Sequence, residues 1–243
     1  MLQIRSPSLQ LHARALSTNV AVVLSGCGVY DGTEVTEGVS TLIHLSSHAD
    51  TTVQCYAPDK MQMHAINHTN GEEQDTNRNV LVESARIARG AVSPLAALDS
   101  SNYSALVIPG GFGAAKNLSS FAVDGADMTV DPDLVTIIDS FRSESKPIGM
   151  CCIAPIIAAK TIPNAKLTVG QSSGPEEIWP HSGAAGGCEA MGASHVDTDI
   201  DGVCVDIDNK LVTSAAYMKN ATPSEVHHSV GKMVTEVLKM VSN

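Results

Sequence analysis

Three short runs in this chain are apolar almost throughout and then stop abruptly. Residues 19–25 (NVAVVLS) end at Gly26, residues 104–108 (SALVI) at Pro109-Gly110-Gly111, and residues 148–151 (IGMC) run straight into Cys152. A strand with one wet face alternates apolar and polar positions. A run without alternation is covered on both faces, as in a parallel sheet between helices. The segments between the runs carry the helical period. Residues 34–48 set Val35, Val39, Leu42, Ile43 and Leu45 near a 3.6-residue repeat. Residues 78–89 read as a helix stopped by Gly90, and Pro132 opens another that runs to Arg142. Residues 51–57 (TTVQCYA) alternate like a strand closed by Pro58, and residues 153–160 read as a helix. Strand and helix thus alternate to residue 160, which predicts an α/β domain with a mostly parallel sheet and helices on both faces. Residues 171–187 read as a long Gly, Ser and Pro-rich loop. Residues 203–206 and 211–213 read as a hairpin about Asp208-Asn209, and residues 223–241 as a closing helix. No repeat or linker divides the chain, so a single domain is expected over 19–243.

Composition removes several function classes. The formal net charge of −11 disfavours a nucleic-acid partner, and aromatics at 3% offer no stacking platform for single strands. No apolar run approaches the roughly 18 residues of a membrane span. Six cysteines without a C-x-x-C pair suit neither a disulfide framework nor a zinc ribbon, and point to a reducing compartment. Residues 1–18 hold Arg5, His12, Arg14 and serines, and the first acid of the chain is Asp31. That pattern predicts a mitochondrial transit peptide ending near Ala15-Leu16-Ser17-Thr18.

Four motifs compete for the chemistry. Gly26-Cys27-Gly28-Val29-Tyr30-Asp31 resembles the start of a dinucleotide loop, but Asp31 stands where the third glycine belongs, so a plain glycine turn is expected. Gly170-Gln171-Ser172-Ser173-Gly174 fits G-x-S-x-G, yet Pro175 and the loop-like stretch after it supply no helix behind the serine. The nine histidines form no ligand pattern, so no metal is expected. The fourth motif is Cys151-Cys152, where a buried strand turns into a helix. Either thiol could stand at the sheet edge, or pack as a small hydrophobe. A helix start would lower the pKa of a thiol placed there. Pro109-Gly110-Gly111-Phe112-Gly113 would share that edge as a loop able to offer N–H groups to an oxyanion. Glu34 and Glu37 open the first helix and are candidate proton partners, against a plain reading as solvated first-turn acids.

Four segments carry a wider resemblance: Leu24-Ser25-Gly26-Cys27-Gly28-Val29-Tyr30-Asp31-Gly32, Arg78-Asn79-Val80-Leu81, Pro109 to Leu118 (PGGFGAAKNL), and Cys152-Ile153-Ala154-Pro155. In these the chain resembles the class I glutamine-amidotransferase-like superfamily that includes PfpI and the Parkinsonism-associated deglycase. It is most similar to the ElbB-type branch and its animal mitochondrial relatives. The resemblance implies a flavodoxin-like three-layer sandwich and a homodimer in mitochondria, in the matrix. Through its Cys-x-x-Pro pattern it implies Cys152 as nucleophile, with Glu37 as the acid bonded to that thiol. It places Gly111 and Ile153 as backbone donors to an oxyanion. Glutaminases of this fold use a late His-x-Glu pair, which this chain lacks. His181 lies in the long loop, and no motif fixes its place. The activity implied is that of a glyoxalase or deglycase, without cofactor or metal, acting on small α-oxoaldehydes or glycated groups. The alternatives are a non-catalytic interaction or redox-sensing protein and, more weakly, a thiol hydrolase of esters or amides.

Overall fold

The computed structural model describes residues 18–242. The expected transit peptide therefore lies outside the described residues, except Thr18, which begins the first strand. The strands are β1 (Thr18–Val23), β2 (Thr51–Ala57), β3 (Val92–Pro94), β4 (Ala105–Ile108), β5 (Ile148–Cys151), β6 (Lys166–Leu167), β7 (Ser194–His195), β8 (Val203–Asp206) and β9 (Leu211–Ser214). The α-helices are α1 (Val35–Ser46), α2 (Val80–Ile87), α3 (Phe112–Lys116), α4 (Phe121–Asp124), α5 (Pro132–Ser143), α6 (Pro155–Thr161), α7 (Ala184–Ala190) and α8 (Pro223–Val241).

Seven strands form one sheet in the order β3-β2-β1-β4-β5-β9-β8, and a separate parallel pair is β6-β7. Every pairing in the large sheet is parallel except β8 with β9, the hairpin expected from Asp208-Asn209. The apolar runs occupy its centre. Val20 to Leu24, Ala105 to Ile108, Ile148, Met150 and Cys151 are fully buried. Packing against helices on both faces explains why these strands do not alternate. The chain is thus a single α/β domain of flavodoxin-like architecture.

α8 shows how the helical faces are fixed. Thr222 and Glu225 form a reciprocal capping box, and Pro223 takes the first turn, where its missing N–H costs nothing. Val226, Val230, Met233, Val234 and Val237 then lie buried on one side. Each contributes roughly 1.5–3 kcal/mol of burial. α8 packs on α1, β5 and β9, so it backs the sheet edge where the cysteines emerge. Gly149 on β5 leaves room there: a Cβ would lie 2.8 Å from Val237 Cγ2.

Three expectations need correction. The loop at 109–113 passes directly into the short helix α3, with Gly111 as its N-cap. The long loop at 171–187 ends four residues early, because Ala184 begins α7. The helix expected from 153 begins at Pro155, and residues 153–154 complete the turn instead.

Candidate active site

The site is assembled where β1, β4, β5 and β9 end together. β5 stops at Cys151, and Cys152 then takes φ +59°. A left-handed backbone on a residue with a side chain costs about 1–3 kcal/mol and persists only where the surroundings hold it. Here the Cys152 N–H donates to Ser214 O at 3.0 Å, and the Ala154 N–H donates back to Cys151 O at 3.1 Å. The turn throws Cys152 off the strand line towards the neighbouring loop. That loop can approach because it is glycine. A Cβ on Gly110 would lie 2.7 Å from Glu37 Oε2 and collide with Cys152 Cβ, and Gly111 needs φ +92°.

α1 brings the acid. Glu34 is its N-cap, with Oε2 accepting the Glu37 N–H at 2.7 Å. Glu34 is thus the solvent-side capping acid that a helix start favours. Glu37, three residues on, turns inward and is fully buried. Its carboxyl accepts N–H groups from Tyr217, at 3.2 Å to Oε1, and from Gly110. Burial first, and then the charge of Glu34, push its pKa up to about 8, with these N–H bonds and the Cys152 thiol pulling the other way.

Both thiols converge on this carboxyl. Cys151 Sγ lies 3.9 Å from Glu37 Oε2, and the Cys152 thiol also shares a hydrogen bond with Glu37. They differ in access. Cys151 is sealed at 0% exposure, whereas Cys152 keeps 7% and lines a cavity of about 550 Å³. The amides of Gly111 and Ile153 are directed at the Cys152 sulfur. The structure therefore brings Cys152, Glu37, Gly111 and Ile153 to one point. It corrects the expected thiol acidity: burial and the Glu37 charge raise Cys152 well above 9.0, and the two amides offset only part of that rise.

The long loop supplies a cavity wall through Pro180, His181 and Gly183, and Ala184 continues it at the start of α7. Trp179 anchors that loop, with its ring over Gly170 and Gly174 and the Lys219 ammonium 5.5 Å from its ring centroid. His181 stands at the exposed mouth, edge-on to Phe112 at 6.0 Å, and partial burial lowers its pKa. Tyr217 escaped the sequence reading because its contribution to Glu37 is a backbone N–H. The usable signal was position, since residues just after β9 must lie at the carboxyl edge beside β5.

The rival motifs resolve differently. The glycine turn closes on itself through Gly32 N–H to Gly28 O, and Asp31 is buried as a pin that accepts the Ile66 N–H at 2.7 Å. Ser172 lies in the exposed loop, tied to Asp197. His227 stacks on His44 at 4.2 Å, while His228 faces Asp201. Among the described residues no group of three or more His, Cys, Asp or Glu side chains could hold a metal ion, and no helix is long and apolar enough to cross a membrane.

No family model matches the chain. It is 45% identical over 241 residues to the human glutamine amidotransferase-like class 1 domain-containing protein 3, mitochondrial, covering 97% of this chain and 90% of that one. It is 47% identical over 222 residues to the rat ES1 protein homolog, mitochondrial, covering 91% and 83%. The chain belongs to the ES1 family of mitochondrial glutamine-amidotransferase-like proteins. Its mitochondrial location follows from that membership. Among solved structures, an Ehrlichia chaffeensis isoprenoid biosynthesis protein with an amidotransferase-like domain superposes on this ES1-family chain with TM-score 0.82. The two are 34% identical over 92% of this chain and 99% of that one. Drosophila melanogaster DJ-1beta aligns with TM-score 0.51 at 16% identity, over 93% of this chain and 96% of its own, and so shares the fold.

Proposed function

We propose that this ES1-family protein is a cofactor-independent glyoxalase or deglycase in which Cys152 attacks reactive α-oxoaldehydes and Glu37 moves the protons. The observation that carries the reading is the buried Glu37 carboxyl, with a pKa near 8, bonded to a thiol that opens into a cavity. A carboxyl poised near neutral pH can serve as base and acid within one cycle. Burial that keeps the thiol neutral at rest also argues against a redox sensor, which needs an exposed thiolate.

In the proposed cycle, ionised Glu37 takes the Cys152 proton as sulfur bonds to the aldehyde carbon. The carbonyl electron pair moves onto oxygen, where the Gly111 and Ile153 amides stabilise it before it is protonated. Glu37 passes the thiol proton to this oxygen, then removes the hydrogen from that carbon and returns it to the adjacent keto carbon, while the hydroxyl proton moves to the former keto oxygen. The aldehyde carbon is oxidised to a thioester, and its neighbour is reduced to an alcohol. Water cleaves the carbon–sulfur bond, releasing a 2-hydroxy acid and restoring the thiol. The reaction is an internal redox exchange plus one water, so no outside oxidant is needed.

Turnover of methylglyoxal by purified protein tests this reading, with D-lactate and L-lactate as the measured products. Cys152→Ala is expected to lower turnover at least about 1000-fold with an unchanged far-UV circular dichroism spectrum. Turnover that persists in this variant would overturn the role of Cys152.

A further inference from the structure

The cavity beside Cys152 is far too large for the smallest α-oxoaldehydes. At about 30 Å³ for each water-sized atom, methylglyoxal, with about five heavy atoms, fills roughly 150 Å³ of a space near 550 Å³. That volume lies within the range of sites that enclose whole drug-sized molecules. The walls are also unusual for this chain. It has only eight aromatic residues, from one Trp, four Tyr and three Phe, yet Phe112, Phe121 and Tyr217 all line this one cavity. Ile153 and Met218 continue the apolar surface, and Lys116 adds a cation.

The aromatic side chains are held in place. Gly187 on α7 makes room for Phe121: a Cβ there would lie 3.1 Å from the ring. Lys116 sits 5.6 Å from the Phe112 ring centroid and donates to Tyr30 O at 2.9 Å, which fixes that wall from outside. A preformed aromatic wall beside the reacting sulfur has no partner in glyoxal or methylglyoxal. Binding energy from an unreactive part of a substrate is what such a wall can supply, and it can be used to lower the barrier at the reacting carbon.

We propose that the substrate is an α-oxoaldehyde with a bulky apolar body, of aryl or branched-alkyl type, seated against Phe112, Phe121 and Ile153 while its aldehyde faces Cys152. This deepens the glyoxalase reading and rests on it for the chemistry. A buried methylene is worth about 10-fold or more in discrimination, and a phenyl group exceeds that several times over.

The test pairs turnover with binding on the full chain. Wild-type kcat/KM for phenylglyoxal, corrected with Cys152→Ala as blank, is expected to exceed that for methylglyoxal by at least about 10-fold. Ala122→Trp, at an exposed position on the cavity rim, should narrow that ratio to less than about 3-fold. Equal or reversed preference in the wild type would overturn the proposal. Calorimetric binding of the two product acids gives a readout independent of turnover. Mandelate should bind at least about 10-fold more tightly than lactate. If neither aldehyde is turned over, the glyoxalase reading falls. Mandelate preference would then still support an apolar-bodied ligand, and its absence would overturn that too.

Discussion

Two of the places where this fold pairs a nucleophilic side chain with a carboxylate have opposite physics. At the sheet edge, Glu37 is fully buried and its pKa is driven up to about 8. On the segment just after β7, Asp197 is about half exposed and its pKa is held below the ordinary 3.8 by hydrogen bonds from Ser172 of the long loop, first its N–H and then its hydroxyl. His195 completes the resemblance to a hydrolytic triad, 3.7 Å from Asp197, but its Nε2 faces the Val169 N–H at 3.2 Å rather than the serine. Ser172, Asp197 and His195 thus supply the residue types of a triad in the wrong order, with the acid between serine and histidine. A base must be able to take a proton near neutral pH. Glu37 can do so, and Asp197 has been stabilised out of that range.

The largest effect should come from Cys152→Ala, through its loss of turnover. Glu37→Gln comes next. It keeps the shape but removes the proton carrier, so kcat should fall about 100-fold to 10,000-fold. The same change should make the protein more stable in alkali. Glu37 has an ordinary pKa of 4.5 and a folded value near 8, so the folded state holds the proton more tightly. Its contribution is fully present below 4.5 and is lost as pH rises through about 8, amounting to at most about 5 kcal/mol. Urea midpoints for wild type should therefore decline across that window, while those of Glu37→Gln decline less. Parallel curves would mean that Glu37 is not the buried titrating group.

The pH dependence of turnover should have the opposite slope. The neutral carboxyl cannot accept the Cys152 proton, so kcat/KM should rise about tenfold per pH unit below pH 8 and level off above it. Glu37→Gln should abolish this limb in whatever activity remains. A limb below pH 6.5 that survives the substitution would point instead to an imidazole such as His181, whose partial burial lowers its pKa.

The sequence showed the site in proportion to how locally each part is encoded. Residues 148–151 and 105–108 announced central strands because burial on both faces leaves no polar position to disguise them. β3, β6 and β7 are only two or three residues long, too short for any period to show. α3 was hidden because Gly110-Gly111 directs attention to a flexible loop, whereas Gly111 caps a helix. Glu34 and Glu37 are indistinguishable as acids in a first turn. Only the family pattern separated them, and tertiary packing makes one a cap and the other a buried acid. The cavity was illegible, since its aromatic wall gathers residues from α3, α4 and the turn after β9, which no local pattern links.

The smallest predicted effect belongs to the pair of Ser172 and Asp197. If burial rather than residue type makes the difference, Ser172→Ala and Asp197→Asn should each leave kcat/KM within about twofold of wild type. Exposed polar pairs contribute about 0–1 kcal/mol, so the midpoint of thermal unfolding should fall by less than about 4 °C. Asp197→Asn is the stricter case, because Asp197 also receives the Ser172 N–H at 2.6 Å and orders the loop that leads to Trp179 and His181. A modest rise in KM with kcat unchanged would fit loosening of that cavity wall. A large fall in kcat would show that the loop cluster takes part in the chemistry, and the contrast between the two carboxylates would no longer hold.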